Sequence, residues 1–85
     1  LNTPHNPTGA VFAAEQLAHI GALAAEYGAV VVADEVYEHM VFSGHAHVPM
    51  ATLPGMAQRT LTISSAGKTF SVTGWKVGWV HGPSE

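Results

Sequence analysis

Of the three basic side chains in this 85-residue sequence, Lys68 and Lys76 lie eight residues apart in an otherwise neutral stretch, a concentration that points to a small anionic ligand. Lys68 follows the small residues Ser64-Ser65-Ala66-Gly67, which follow an apolar β-like run. A lysine closing a tight loop over a sheet rim becomes partly desolvated, which makes its amine a nucleophile. Taken alone, the residue reads first as an exposed loop lysine. Ser64 and Ser65, with the loop amides, would make an anion cradle beside it, and Lys76 would add a second cation for phosphate. Asp34 ends an apolar run, where an unpaired carboxylate is expensive. It either caps the next helix or holds a cation or a protonated ring nitrogen. Tyr37, three residues on, reaches the same place on a helical turn, or else packs in the core. Asn6 sits between Pro4 and Pro7, a preset backbone that suits a side chain aimed at a ligand or a simple Asx turn.

The elements that must position these groups are readable from punctuation and period. Thr3 to Gly9 is rich in breakers and reads as a loop. From about Ala14 to Tyr27 the pattern is helical, with Leu17, Ile20, Gly21 and Ala24 on one face and Gly28 as the stop. Its start carries no Ser, Thr, Asp or Asn cap, an omission that costs about 1 kcal/mol. Ala29 to Ala33 is a continuous apolar run with three valines, as expected of a strand buried on both faces. Thr60 to Ile63 reads as a second strand, Ser64 to Gly67 as a turn, and Trp75 to Val80 as a third strand. With Leu1–Thr3 as the tail of a preceding strand, strand, helix and strand make a βαβ unit with parallel strands. Ligands in such sheets sit beyond the carboxyl ends of the strands. Asn6 and Asp34 therefore share a rim.

Composition bounds the function. Hydrophobic residues make up 47 % of the chain and charged ones only 11 %, where soluble domains run near 25 % charged. The expectation is a piece of a larger interior, consistent with Leu1 in place of an initiator Met. Three basic residues against six acidic ones cannot supply the cationic face that a nucleic acid requires. The run Ala29 to Ala33 is far shorter than the roughly 20 residues of a membrane helix. The absence of cysteine excludes a disulfide scaffold and fits a reducing, cytoplasmic compartment.

Three look-alikes are weighed against this reading. Gly67-Lys68-Thr69 imitates the end of a P-loop, but that loop needs glycine where this chain has Thr62, and the acid at Asp34 precedes the lysine rather than following it. A nucleotide-binding module is thus the remote alternative. Ser65-Ala66-Gly67-Lys68 also matches the Ser-x-x-Lys of serine acylases, whose companion motifs are absent. His45 and His47 could touch a metal, but no carboxylate or cysteine joins them locally, so a solvated loop is expected and no metal site is assigned.

Taken in order, Asn6-Pro7-Thr8-Gly9, Asp34-Glu35-Val36-Tyr37, Ser65-Ala66-Gly67-Lys68 and Gly74-Trp75-Lys76-Val77-Gly78-Trp79 resemble the class I and II aminotransferases of the pyridoxal-phosphate fold-type I group, over essentially the whole chain. The resemblance implies an α/β fold: residues 1–85 would be the central part of the large cofactor-binding domain, a mostly parallel, three-layer sheet domain, with the small domain elsewhere. It implies pyridoxal 5′-phosphate as cofactor, amino acid and 2-oxo acid substrates, and a homodimer when full length. Lys68 would form the imine with the cofactor aldehyde and shuttle the proton between substrate and cofactor. Asp34 would pair with the pyridinium nitrogen. Asn6 and Tyr37 would bond the phenolate oxygen, and Ser65 and Lys76 would hold the phosphate. Many relatives carry arginine where this chain has Lys76, so a forked grip is replaced by a point charge. The wording is most similar to the kynurenine, glutamine and methionine branch, with N-succinyldiaminopimelate aminotransferases and cysteine-conjugate β-lyases as alternatives. The upstream phosphate loop, the ring-stacking aromatic and the carboxylate-binding arginine of the family lie outside these residues. The likeness also implies a cis peptide at Asn6-Pro7.

Overall fold

A computed structural model describes residues 1–84. The opening residues lie alongside a strand: Asn2 makes a parallel bridge to Asp34, with the Asp34 N–H donating to the Leu1 carbonyl at 2.8 Å and the Thr3 N–H to the Asp34 carbonyl at 3.2 Å. Helix α1 (Ala14–Glu26) then crosses to strand β1 (Val31–Asp34), which completes the expected βαβ unit. Strand β2 (Thr60–Ser65) lies parallel to β1, with Asp34 opposite Ile63. A four-residue helix, α2 (Ala66–Thr69), follows without an intervening loop. Strand β3 (Gly78–His81) closes the sheet antiparallel to β2, with Gly78 opposite Ser65.

Local chemistry accounts for the ends of α1. The Gln16 Oε1 accepts from the Ala13 N–H at 2.9 Å, half of a capping box that offsets the missing N-cap side chain. At the other end Gly28 adopts a φ of 63°, its N–H reaches the Ala25 carbonyl at 3.4 Å, and the Ala29 N–H reaches Ala24 at 2.8 Å. This is the Schellman termination, and a left-handed residue there favours glycine. Arg59 completes the cap by donating from Nη1 to the Ala24 carbonyl at 3.3 Å. Arg59 is therefore a half-buried helix-capping group.

The core lies on one side of the sheet, where Leu17 and Ala24 of α1 meet Val31, Ala33, Met50 and Met56. Gly21 lets the two methionines approach the helix, since a Cβ there would lie 3.1 Å from the Met56 sulfur. Within the described residues β1 is covered on one face: α1 and the 3₁₀ turns lie over it, while Val30 and Val32 on the other face stay 63 % and 47 % exposed. The chain thus supplies the sheet and one helical layer.

Two further differences concern the lysine segments. The turn expected at Ser64 to Gly67 is the end of β2 and the start of α2, where Ala66 donates its N–H to the Val77 carbonyl at 3.0 Å. The third strand begins at Gly78 rather than Trp75. A 3₁₀ turn (Thr73–Trp75) and the left-handed Lys76, at φ 55°, interrupt the extended chain first. Asn6-Pro7 is cis, and so is Thr3-Pro4, for which the sequence carries no specific signal.

Candidate functional site

The topology brings all six candidate residues to one edge of the sheet. Asn6 follows the segment paired with β1, Asp34 and Tyr37 lie at and beyond the carboxyl end of β1, and Ser65 and Lys68 lie at and beyond that of β2. Because β3 runs antiparallel and Gly78 faces Ser65, Lys76, just ahead of β3, falls at the same edge.

Side chains divide that edge into two clefts. Ser65, Lys68 and Lys76 line one of about 310 Å³, together with Gly67, Thr73, Val77 and Gly78. Two ammonium groups with two hydroxyls and no carboxylate in the lining suit an anion. The wall is built closely: the Thr73 Oγ1 donates to the Gly67 carbonyl at 3.3 Å, and a Cβ on Gly67 would sit 3.3 Å from the Thr73 Cα. Asn6 and Tyr37 line the second cleft, of about 230 Å³, with His5, Pro7, Gly9 and Met40. There the Asn6 Nδ2 donates to the Tyr37 hydroxyl at 3.3 Å. The loop bearing Asn6 is held by the buried Thr3, whose Oγ1 accepts from the Phe12 N–H at 3.1 Å, and by Asn2, whose Oδ1 accepts from the Asn6 N–H at 3.3 Å.

Asp34 lines neither cleft. Its Oδ1 accepts from the Val36 N–H at 3.2 Å, so one carboxylate oxygen holds a turn where the sequence offered a helix cap. Ser64 is a correction. It points away from the cradle assigned to it, is 3 % exposed, and donates its hydroxyl to the Glu38 Oε1 at 2.8 Å. Alternation along β2 separates the two serines: Ser65 faces the cleft and Ser64 the interior.

His47 is a second correction. It is not in a solvated loop: its side chain is 7 % exposed and its Nε2 lies 3.1 Å from the Glu35 Oε2, while His45 remains exposed. The other Glu35 oxygen accepts from the Met50 N–H at 2.9 Å. Glu35, Glu38 and His47 each bring a ligating atom within 4.8 Å of the others. Sequence reasoning missed this cluster, because twelve residues separate the carboxylate from the imidazole. The available signal was an acidic residue directly following a buried strand end.

The chain belongs to the class I and II aminotransferase family, whose model matches residues 1–85. It is 59 % identical over 83 residues to human kynurenine–oxoglutarate transaminase 1, covering 98 % of this chain and 20 % of that protein. The solved N-succinyldiaminopimelate aminotransferase from Mycobacterium tuberculosis superposes with a TM-score of 0.95 at 57 % identity, covering 98 % of this chain and 22 % of that one. A PLP-bound structure from Clostridium difficile 630 gives a TM-score of 0.92 at 28 % identity, again with 98 % and 22 % coverage. The chain therefore spans about a fifth of the length of these relatives. The α/β fold is that of the fold-type I aminotransferases. Among the described residues no helix is long and apolar enough to cross a membrane.

Proposed function

We propose that these residues form the central part of the large domain of a pyridoxal-phosphate-dependent aminotransferase that moves an amino group between an amino acid and a 2-oxo acid. The observation that carries the proposal is the convergence of an amine, a carboxylate, an amide–phenol pair and a second ammonium on one sheet edge, with Ser65, Lys68 and Lys76 in a single cleft. That donor set fits a ligand with an aldehyde, a phosphate and a basic ring nitrogen. When bound, the cofactor supplies an electron sink for cleavage at the substrate Cα. Lys68 would hold the aldehyde carbon through its amine, with release of water, and once displaced by the substrate amine would carry the proton at the substrate Cα. Ser65 and Lys76 would hold the phosphate. The Asp34 carboxylate would keep the ring nitrogen protonated, and the Asn6–Tyr37 pair would bond the ring oxygen. The same reading includes a homodimer and a cytoplasmic setting, checked by sedimentation and by cell fractionation of the full-length protein.

The test is made on the full-length protein. Lys68→Ala should abolish transamination and the visible absorbance of the lysine-bound cofactor, and borohydride should no longer trap the cofactor on the chain. Retained turnover with a borohydride-stable adduct would sink the assignment. The competing nucleotide module predicts magnesium-dependent ATP binding instead. Its P-loop look-alike sits in α2 directly after β2, with no phosphate-cradling loop between them. As to substrate, the similarity to kynurenine and to N-succinyldiaminopimelate enzymes is nearly equal, so both amino donors belong in the same assay.

A further inference from the structure

The two halves of the proposed site are carried by separate segments, the turn after β1 with Asp34 and Tyr37, and the end of β2 with Ser65 and Lys68. The near end of the turn is pinned by backbone, since the Glu35 N–H donates to the Ile63 carbonyl at 2.9 Å. Its far end, beside Tyr37, is tied to β2 by one side-chain bond, from the Ser64 hydroxyl to Glu38 at 2.8 Å. Glu38 is in turn packed against Glu35, whose carboxylate is 1 % exposed. Two carboxylates at this spacing repel unless donors stand between and around them, and a buried charge left unpaired is costly. The donors come from three other places in the chain: Ser64, the Met50 N–H and His47. An apolar patch would hold these segments together at less electrostatic cost. A cluster joined by hydrogen bonds on both carboxylates instead favours one geometry, because each bond is directional.

We propose that Glu38 and Ser64 are positioning residues that fix the Tyr37 turn against the Lys68 segment, with Glu35 and His47 as their buried support. The inference rests on the aminotransferase reading above. Neither residue touches the cofactor in that reading; both act through Tyr37 and Ser65.

The experiment uses full-length protein and measures the cofactor dissociation constant together with the visible circular dichroism of the bound cofactor, which reports ring orientation. Ser64→Ala and Glu38→Ala should each weaken cofactor binding by roughly three- to tenfold, the fold-change for losing one hydrogen bond, and both should alter the dichroic band. The double variant should be no worse than the more severe single, because both remove the same bond. Glu38→Gln, which still accepts from Ser64, should recover most of the affinity lost in Glu38→Ala. Wild-type affinity and an unchanged dichroic band in Ser64→Ala, with only a lowered melting temperature, would reduce the pair to scaffold and overturn the proposal. Ser64→Ala removes a single oxygen, so it keeps the test decisive where Glu38→Ala fails to fold. Lys68→Ala is run in parallel. If it loses the lysine-linked absorbance while Ser64→Ala behaves as wild type, positioning alone has failed. If Lys68→Ala keeps that absorbance, the aminotransferase reading fails and takes this inference with it.

Discussion

At the scale of single residues, Asp34 holds the turn after β1 and, in the proposed function, would also meet the ring nitrogen. Its Oδ1 takes the Val36 N–H, and its main chain bonds both Leu1 and Thr3. Asp34→Asn keeps the carbonyl oxygen needed for that turn and removes only the charge. In the full-length enzyme the variant should therefore retain cofactor while turnover falls on the order of a hundredfold or more, the size of effect seen when one preorganised electrostatic partner is removed. Steady-state kinetics alongside an absorbance spectrum would show this, and unchanged turnover would remove Asp34 from the ring nitrogen. The types and spacings of Asn6, Asp34, Tyr37, Ser65, Lys68 and Lys76 were all legible in sequence. The commitment of Ser64 to Glu38 was not, since both serines carry the same hydroxyl and only the pleat of β2 decides which faces the cleft.

At the scale of elements, the strand–helix–strand order follows from short-range signals. Leu17, Gly21 and Ala24 recur at helical spacing, and Gly28 supplies the left-handed stop. The sequence was less informative where tertiary hydrogen bonds override local pattern. The stretch Trp75 to Val80 alternates like a strand, but the 3₁₀ turn and Lys76 bend it before Gly78 pairs with Ser65. That pairing leaves little room for a side chain: a Cβ on Gly78 would lie 3.1 Å from the Ser64 carbonyl oxygen and 3.6 Å from the Ser65 Cβ. Gly78→Ala pushes the Ser64 carbonyl by a few tenths of an ångström, so it should destabilise the full-length protein by about 1–3 kcal/mol in denaturant titration. It should also weaken cofactor binding, because the same displacement reaches Ser65 and Lys68. A variant with the wild-type denaturation midpoint would show that the strands separate without strain.

At the scale of the whole molecule, the low charge and high apolarity acquire a location. Phe70, Trp75, Val77, Trp79 and Val80 are exposed, and Val30 and Val32 leave one sheet face open. Produced alone, the 85 residues should bind a hydrophobic dye strongly and show no lysine-linked cofactor absorbance at concentrations that saturate the full-length protein, because in the proposed function these residues supply only part of the pocket. Saturable cofactor binding by the isolated 85 residues with full-length affinity would show instead that the pocket is complete within them. The sequence by itself determined which chemistry is on offer and in what order, because motifs, glycine stops and hydrophobic period are local properties of the chain. Tertiary packing alone brings Glu35 to His47, Glu38 to Ser64 and Arg59 to the end of α1. Each of those contacts joins positions twelve or more residues apart. Such pairings are set by strand register and by which face each side chain presents, and neither is written in the spacing of residues along the chain.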